Sequence, residues 1–402
     1  MVADFSEGGA EQVAMTAAER FYTALSGGMP DRVPTLAKIW VDLGAALVGR
    51  ELREIIEDPQ TAMKVVVEGA LSVKADGARI FHFPKRKTKV QKGALVEVSD
   101  DGEVLGPVDV QGGLATRVRQ PNVIRLEDPY QMAFVQFWST AEPLVKTIED
   151  ARRIKVPDKS FYEEFGYGKI QREVVDWAGD RVALLGDCAS ATLAFHVLYR
   201  RLDNALLDFV QNPKLVHATM EKGVQIAVEK GKFNIDTGLR ILRLNDSVAN
   251  MSVISPAHWR EFIFPHMKTV CDDLHRYCPE VRIYCHICGN VMPIMEDLIA
   301  TGLDCIGPLD PLGNFTCAEA RRAVGNRIAL MGGVNTLSFI NSSPEELMEE
   351  ARICIEDAGR QGAYVLGSGC VVPRSAPREN LLALAEAAQR YGKAESLRQA
   401  SA

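Results

Sequence analysis

Short apolar runs and amphipathic stretches take turns along most of this chain. Apolar runs bounded by turn residues predict strands at 33–39, 77–83, 181–187, 240–246, 281–286, 303–306, 327–332 and 363–367. Between them lie segments of helical period. Thr16 is placed as the cap of a helix over 16–25, and Asp58-Pro59 opens another that runs to about 74. Further helices are expected over 161–178, 204–211, 213–233, 256–276 (capped by Ser255), 291–301, 317–324, 343–359 and 378–391. Eight strands alternating with helices predict an α/β chain with one domain over 1–402, a single (β/α)8 barrel with an N-terminal helical leader. A doubly wound sheet is the rival, but it rarely needs eight strands in so regular an order.

The alternation breaks once. Between about 85 and 125 the pattern turns to period two, with apolar-polar runs at 88–98 and 103–110 around Ser99-Asp-Asp-Gly102. An Asp-Gly turn between two such runs predicts a β-hairpin, here an insertion in the barrel. The stretch 126–152 resists assignment and holds an aromatic cluster, Phe134, Phe137 and Trp138.

Composition narrows the class. The chain has 402 residues, 47% hydrophobic and 25% charged, as a globular enzyme has. A net charge of −7 argues against nucleic acid or an anionic membrane as partner. No apolar run approaches the length of a membrane span. The N-terminal residues lack the basic start and apolar stretch of a signal peptide. Nine cysteines suit a reducing cytoplasm better than a secreted disulfide framework.

Candidate chemistry gathers at the C-terminal ends of the predicted strands, where barrels build their sites. The fifth strand ends in Cys285-His-Ile-Cys-Gly289 and the eighth in Gly367-Ser-Gly-Cys370. His286 and Cys288 are two residues apart, so on an extended strand both face one way, while Cys285 faces the other and packs. One imidazole and two thiolates suit Zn2+, and three protein ligands leave the open position of a catalytic site. His286, Cys288 and Cys370 are therefore the expected metal ligands. A buried cysteine is more often a small hydrophobe; the pairing of the two strand ends is what raises these above that level. Asp310, in Gly-Pro-Leu-Asp-Pro, is a candidate fourth ligand or catalytic carboxylate, with a turn role as the plain alternative. Asp246 could orient substrate or an imidazole, or could simply cap. Cys188 is a further possible ligand at a strand end. His82 reads first as a surface or core residue, though it ends the second strand and could face the cavity.

Taken together, these pieces resemble the uroporphyrinogen decarboxylase superfamily, and within it the zinc-dependent corrinoid methyltransferases. The resemblance runs from about residue 15 to 392 and rests on Asp31-Arg-Val-Pro34, Asn245-Asp-Ser247, His286-Ile-Cys-Gly289, Ile328-Ala-Leu-Met-Gly-Gly333 and Gly367-Ser-Gly-Cys370. It implies a zinc ion on His286, Cys288 and Cys370, and methyl transfer between a small molecule and the cobalt of a corrinoid (cobalamin). The chain holds no Asp-x-His-x-x-Gly stretch, so a partner corrinoid protein would bring that cofactor. The expected reaction is demethylation of a small-molecule donor such as a methyl ether. Alternatives are methyl transfer from a corrinoid to a thiol acceptor, zinc-dependent hydrolysis, and decarboxylation. The decarboxylase branch carries an arginine-rich signature for porphyrin carboxylates; the first strand here, Thr35-Leu-Ala-Lys-Ile-Trp40, has no counterpart to it.

Overall fold

A computed structural model describes residues 14–99, 101–108, 118–119, 124–139 and 142–399. All eight expected strands form one parallel sheet: Thr35–Leu36, Gly77–Ile80, Ala183–Asp187, Ile241–Asn245, Arg282–His286, Cys305–Leu309, Ala329–Val334 and Tyr364–Ser368. Each strand pairs with its neighbour in chain order from the second to the eighth, and the eighth returns to the first, Thr35 opposite Leu366. These strands are buried on both faces, which is why they read as continuous Leu, Ile, Val and Ala runs. The first is shorter than expected, because the chain turns at Ala37–Trp40 into an unforeseen helix, Val41–Val48.

The seam between the first and second strands is held by Asp76. Its N–H donates to the Thr35 carbonyl (3.1 Å). Its carboxylate accepts from the Thr35 N–H (2.9 Å), from both ends of the Arg32 guanidinium (2.7 and 2.8 Å) and from Arg20 (2.8 Å). Arg20 lies on the leader helix, Ala17–Leu25, which begins with a reciprocal capping box between Thr16 and Glu19. Phe21 of that helix packs with Leu36, Leu185, Ile241, Tyr284 and Met331 inside the barrel. The leader thus plugs the N-terminal end and leaves the C-terminal end to the cavity.

The insertion departs from expectation. It is a three-stranded antiparallel sheet of Lys87–Gln91, Ala94–Val98 and Val104–Pro107. The run read as one strand over 88–98 folds on itself at Lys92-Gly93, both in the left-handed region (φ 51° and 77°) as a tight hairpin turn requires. Lysine is an uncommon residue there, which hid the turn. The second hairpin turns at the foreseen Asp-Gly; residues 109 and 110 of its expected return strand lie outside the described residues. In the unassigned stretch, Pro129–Ala133 and Ile148–Arg153 are helices, and Trp138–Ser139 pairs in parallel with Val118–Arg119. The helix expected over 161–178 divides at Gly166 (φ 81°) into Lys159–Glu164 and Tyr167–Ala178. No helix among the described residues is long and apolar enough to cross a membrane.

Candidate metal centre and active site

In each barrel strand alternate residues face inward, and past the apolar interior that alternation delivers polar side chains to the mouth. Leu36 leads to Lys38 and Trp40, Gly77 to Arg79 and Phe81, Leu185 to Asp187, Ile241 to Arg243 and Asn245, and Tyr284 to His286. Trp40, Arg79, Phe81, Asp187, Arg243 and Asn245 border a cavity of about 1020 Å3 that contains His286, Cys288 and Cys370 in its lining.

A ring nitrogen of His286 and the sulfurs of Cys288 and Cys370 all lie within 4.8 Å of one another. A tetrahedral ion bound at about 2.0 Å to nitrogen and 2.3 Å to sulfur needs ligand atoms roughly 3.5–4 Å apart, so the donor set suits zinc in type and lies close enough to converge on one ion. The loop geometry explains the convergence. Gly289 takes φ 87°, which turns the chain straight after Cys288. Gly367 lies so close to the first strand that a Cβ would stand 2.8 Å from the Leu36 carbonyl.

The surroundings tune these three side chains. The Tyr284 hydroxyl lies 2.9 Å from Nδ1 of His286, leaving Nε2 for the ion when Nδ1 carries the proton. Burial, with Arg243, Lys38 and Arg79 nearby, holds the His286 pKa well below its usual value, so the imidazole is neutral. Cys370 is pulled down to about 6, chiefly by the hydrogen bond from Cys288 and further by Lys38 and Arg79 against the opposing effect of burial. Cys288, the donor of that pair, is pushed up. Lys38 is wholly buried and its ammonium donates to the Ser368 carbonyl (2.5 Å). Burial, with Arg79 adding to it, brings Lys38 down to about 7. Arg243 donates to Asp187 (2.6 Å) and to the Asn245 side chain (2.6 Å), and Lys230 reaches Asp187 at 3.2 Å.

The two candidate carboxylates are placed differently. Asp310 accepts from the N–H of Gly289 (3.0 Å) and of Leu312 (3.1 Å), so it braces the loop that carries Cys288. Its oxygens lie outside the cluster of ligand atoms. Asp246 is directed away from the cavity. It accepts from the Ala194 N–H (2.6 Å) and the Thr192 hydroxyl, capping the start of helix Leu193–Arg200. Burial raises its pKa to about 6. Cys188 lies against Asn234 and His82 among Tyr162, Tyr167 and Phe233 with Gln171 as partner; neither reaches the cavity. Cys285 packs outward in the core, as its alternation predicts. Phe137 lines the cavity, while the Trp138 side chain lies outside what is described.

Lys38, Trp40, Arg79, Arg243 and Tyr284 escaped the sequence analysis. Arg243 alone carried a signal: a charged residue two places before the end of its strand, Ile241–Asn245, has nowhere to point but the barrel mouth.

The family model Uroporphyrinogen decarboxylase (URO-D) matches residues 139–391. A methylated-thiol–coenzyme M methyltransferase of Methanosarcina mazei is 29% identical over 192 residues, 46% of this chain and 49% of that protein, so the match spans about half of that relative's length. The methylcobamide:CoM methyltransferase MtaA of Methanosarcina barkeri is 22% identical over 92% of this chain and 97% of its own. A solved structure of a methyltransferase from Methanosarcina mazei shares the fold, with a TM-score of 0.64 and 16% identity over 94% of this chain and 99% of that one.

Proposed function

The chain belongs to the uroporphyrinogen decarboxylase family, and on that footing we propose that it is a zinc-dependent methyltransferase. It moves a methyl group between a small molecule, foremost a methyl ether undergoing demethylation, and the cobalt of a corrinoid carried by a separate protein. The observation that carries this reading is the convergence of His286, Cys288 and Cys370 on one point of the cavity wall. Zinc held by those three residues supplies Lewis acidity to the oxygen or sulfur that exchanges the methyl group.

The remaining tasks fall to the protein's own side chains. Tyr284 orients the His286 ring and fixes its tautomer. Lys38 and Arg79 favour the thiolate form of Cys370 through their field. Asp310 acts as a positioning residue by holding the Gly289 N–H beside Cys288. Trp40, Phe81 and Phe137 give the donor an apolar wall that keeps water from the reacting atoms.

Transfer from a methylated corrinoid to a thiol acceptor is the second reading. It is favoured by the activities of the two Methanosarcina relatives. Two anionic sulfur ligands would also keep a bound thiolate electron-rich. Hydrolysis is less supported, since neither Asp310 nor Asp246 is placed as a general base in the cavity. The test is to mix the zinc-loaded protein with Co(I) cobalamin and a panel of methoxylated and methylthio donors and to follow the visible spectrum. Conversion of the Co(I) bands to those of methylcobalamin supports the reading. An unchanged spectrum with every donor and, in reverse, with methylcobalamin and thiols overturns it.

A further inference from the structure

Of the three buried cations that the first, second and fourth strands bring to the barrel mouth, two have acceptors. Lys38 is held by the Ser368 carbonyl, and Arg243 by Asp187 and Asn245. Arg79 has none among the described residues: Nε, Nη1 and Nη2 are all buried without a hydrogen-bond partner, and the residue is only 2% exposed. A guanidinium shut away from water with its donors unused is strongly unfavourable unless something else supplies the acceptor. Arg243 does the opposite of relieving it, since both guanidinium groups lie over the same ring, Phe81, at 5.7 and 5.4 Å. Three more buried polar atoms in the cavity lining are also unpartnered, Trp40 Nε1, Asp42 Oδ2 and the Nε of Arg243, whose other two nitrogens are satisfied.

The walls beside Arg79 are aromatic. Trp40 and Phe81 meet edge to face at 4.1 Å, and Phe137 completes the same lining. Planar forked donors match a carboxylate in two parallel hydrogen bonds, and flat rings match a flat apolar body.

We propose that Arg79 is the specificity-determining residue of this cavity and that it reads a carboxylate on the methyl donor, which is therefore a methoxylated aromatic acid. The inference rests on the demethylation reading above and narrows its substrate. The donor's carboxylate takes up the guanidinium, its ring lies along Trp40 and Phe81, and its methoxy group is turned toward His286, Cys288 and Cys370. Trp40 Nε1 and Asp42 are left as a donor and an acceptor for further ring substituents.

Calorimetric titration of the zinc-loaded protein with 4-methoxybenzoate and with uncharged 4-methoxybenzamide reads this preference without any methyl transfer. The acid should bind at least tenfold more tightly than the amide. Arg79→Met should reduce that ratio to below twofold, the two proteins being compared at matched zinc content. Arg79→Lys, which keeps the charge and loses the fork, should give an intermediate ratio and serves if the methionine variant does not fold. Equal binding of acid and amide by the wild type, no binding of the acid at millimolar concentration, or a preference that survives in Arg79→Met overturns the proposal. So does loss of zinc from Arg79→Met with the preference intact, because the arginine would then serve the thiolates alone. The two readings fail separately. An amide demethylated as fast as the acid sinks the carboxylate subsite and spares methyl transfer. Arg79-dependent binding of the acid with no methylation of cobalt upholds the subsite and sinks methyl transfer.

Discussion

Replacing Tyr284 by phenylalanine removes one oxygen atom and isolates its effect on the metal centre. The hydroxyl lies 2.9 Å from Nδ1 of His286, and both side chains are buried, so no bulk water can take its place. Ligation at Nε2 requires Nδ1 to keep its proton and spend it on the tyrosine oxygen. In the variant that N–H is buried without an acceptor, a loss of about 1–3 kcal/mol. Partners of this kind behind a ligating histidine are worth about 10- to 100-fold in metal affinity. The expected result is zinc affinity lowered by at least about tenfold, or ~1.4 kcal/mol. Competition against a chromophoric chelator measures it, and the thermal midpoint of the zinc-free form shows how much of the loss belongs to the fold. A Tyr284→Phe protein that binds zinc within twofold of wild type would refute the reasoning, because His286 would then need no orienting partner.

Asp310→Ala should also weaken zinc binding, by about tenfold on the same scale, because it frees the Gly289 and Leu312 N–H groups and with them the Cys288 loop; unchanged chelator competition would assign Asp310 to the turn alone. Asp76→Ala should lower the stability by about 3–5 kcal/mol in urea unfolding, since it leaves Arg32 and the Thr35 N–H without their buried acceptor at the barrel seam; a loss under 1 kcal/mol would mean the seam is held elsewhere. Stability should fall as the solution is acidified from about pH 6.5 toward pH 3. Burial holds His82 down to about 3 and His266 to about 4, against 6.5 unfolded, so the unfolded chain binds the extra protons in that window. The contribution of neutral His82 is complete above pH 6.5, and a urea midpoint that stays level from pH 6.5 to 4 would contradict it.

The barrel was legible because its strands are buried on both faces and its helices carry strong caps. Ser343 before Pro344 and Asp58 before Pro59 mark helix starts that the structure reproduces within a residue. The insertion was legible only in kind. A Lys-Gly turn carries no sequence signal comparable to Asp-Gly, so two short strands read as one. His286, Cys288 and Cys370 stood out because soft ligands at two strand ends are rare by chance. Asp246 also sits at a strand end, yet its carboxylate turns back to cap the helix of the preceding barrel unit, and residue type alone does not carry direction. Arg79 and Tyr284 were hidden for the converse reason. Inside an apolar strand they look like ordinary residues until the strand's neighbours show which face is inward.

Zinc-edge X-ray absorption on the purified, zinc-loaded protein, with Cys370→Ser beside it, addresses the central claim most directly. One ion per chain with two sulfur and one imidazole neighbours, falling to a single sulfur or to no ion in the variant, is the predicted result. A wild-type protein that holds no stoichiometric ion, or whose ion has no sulfur around it, would contradict the account at its root.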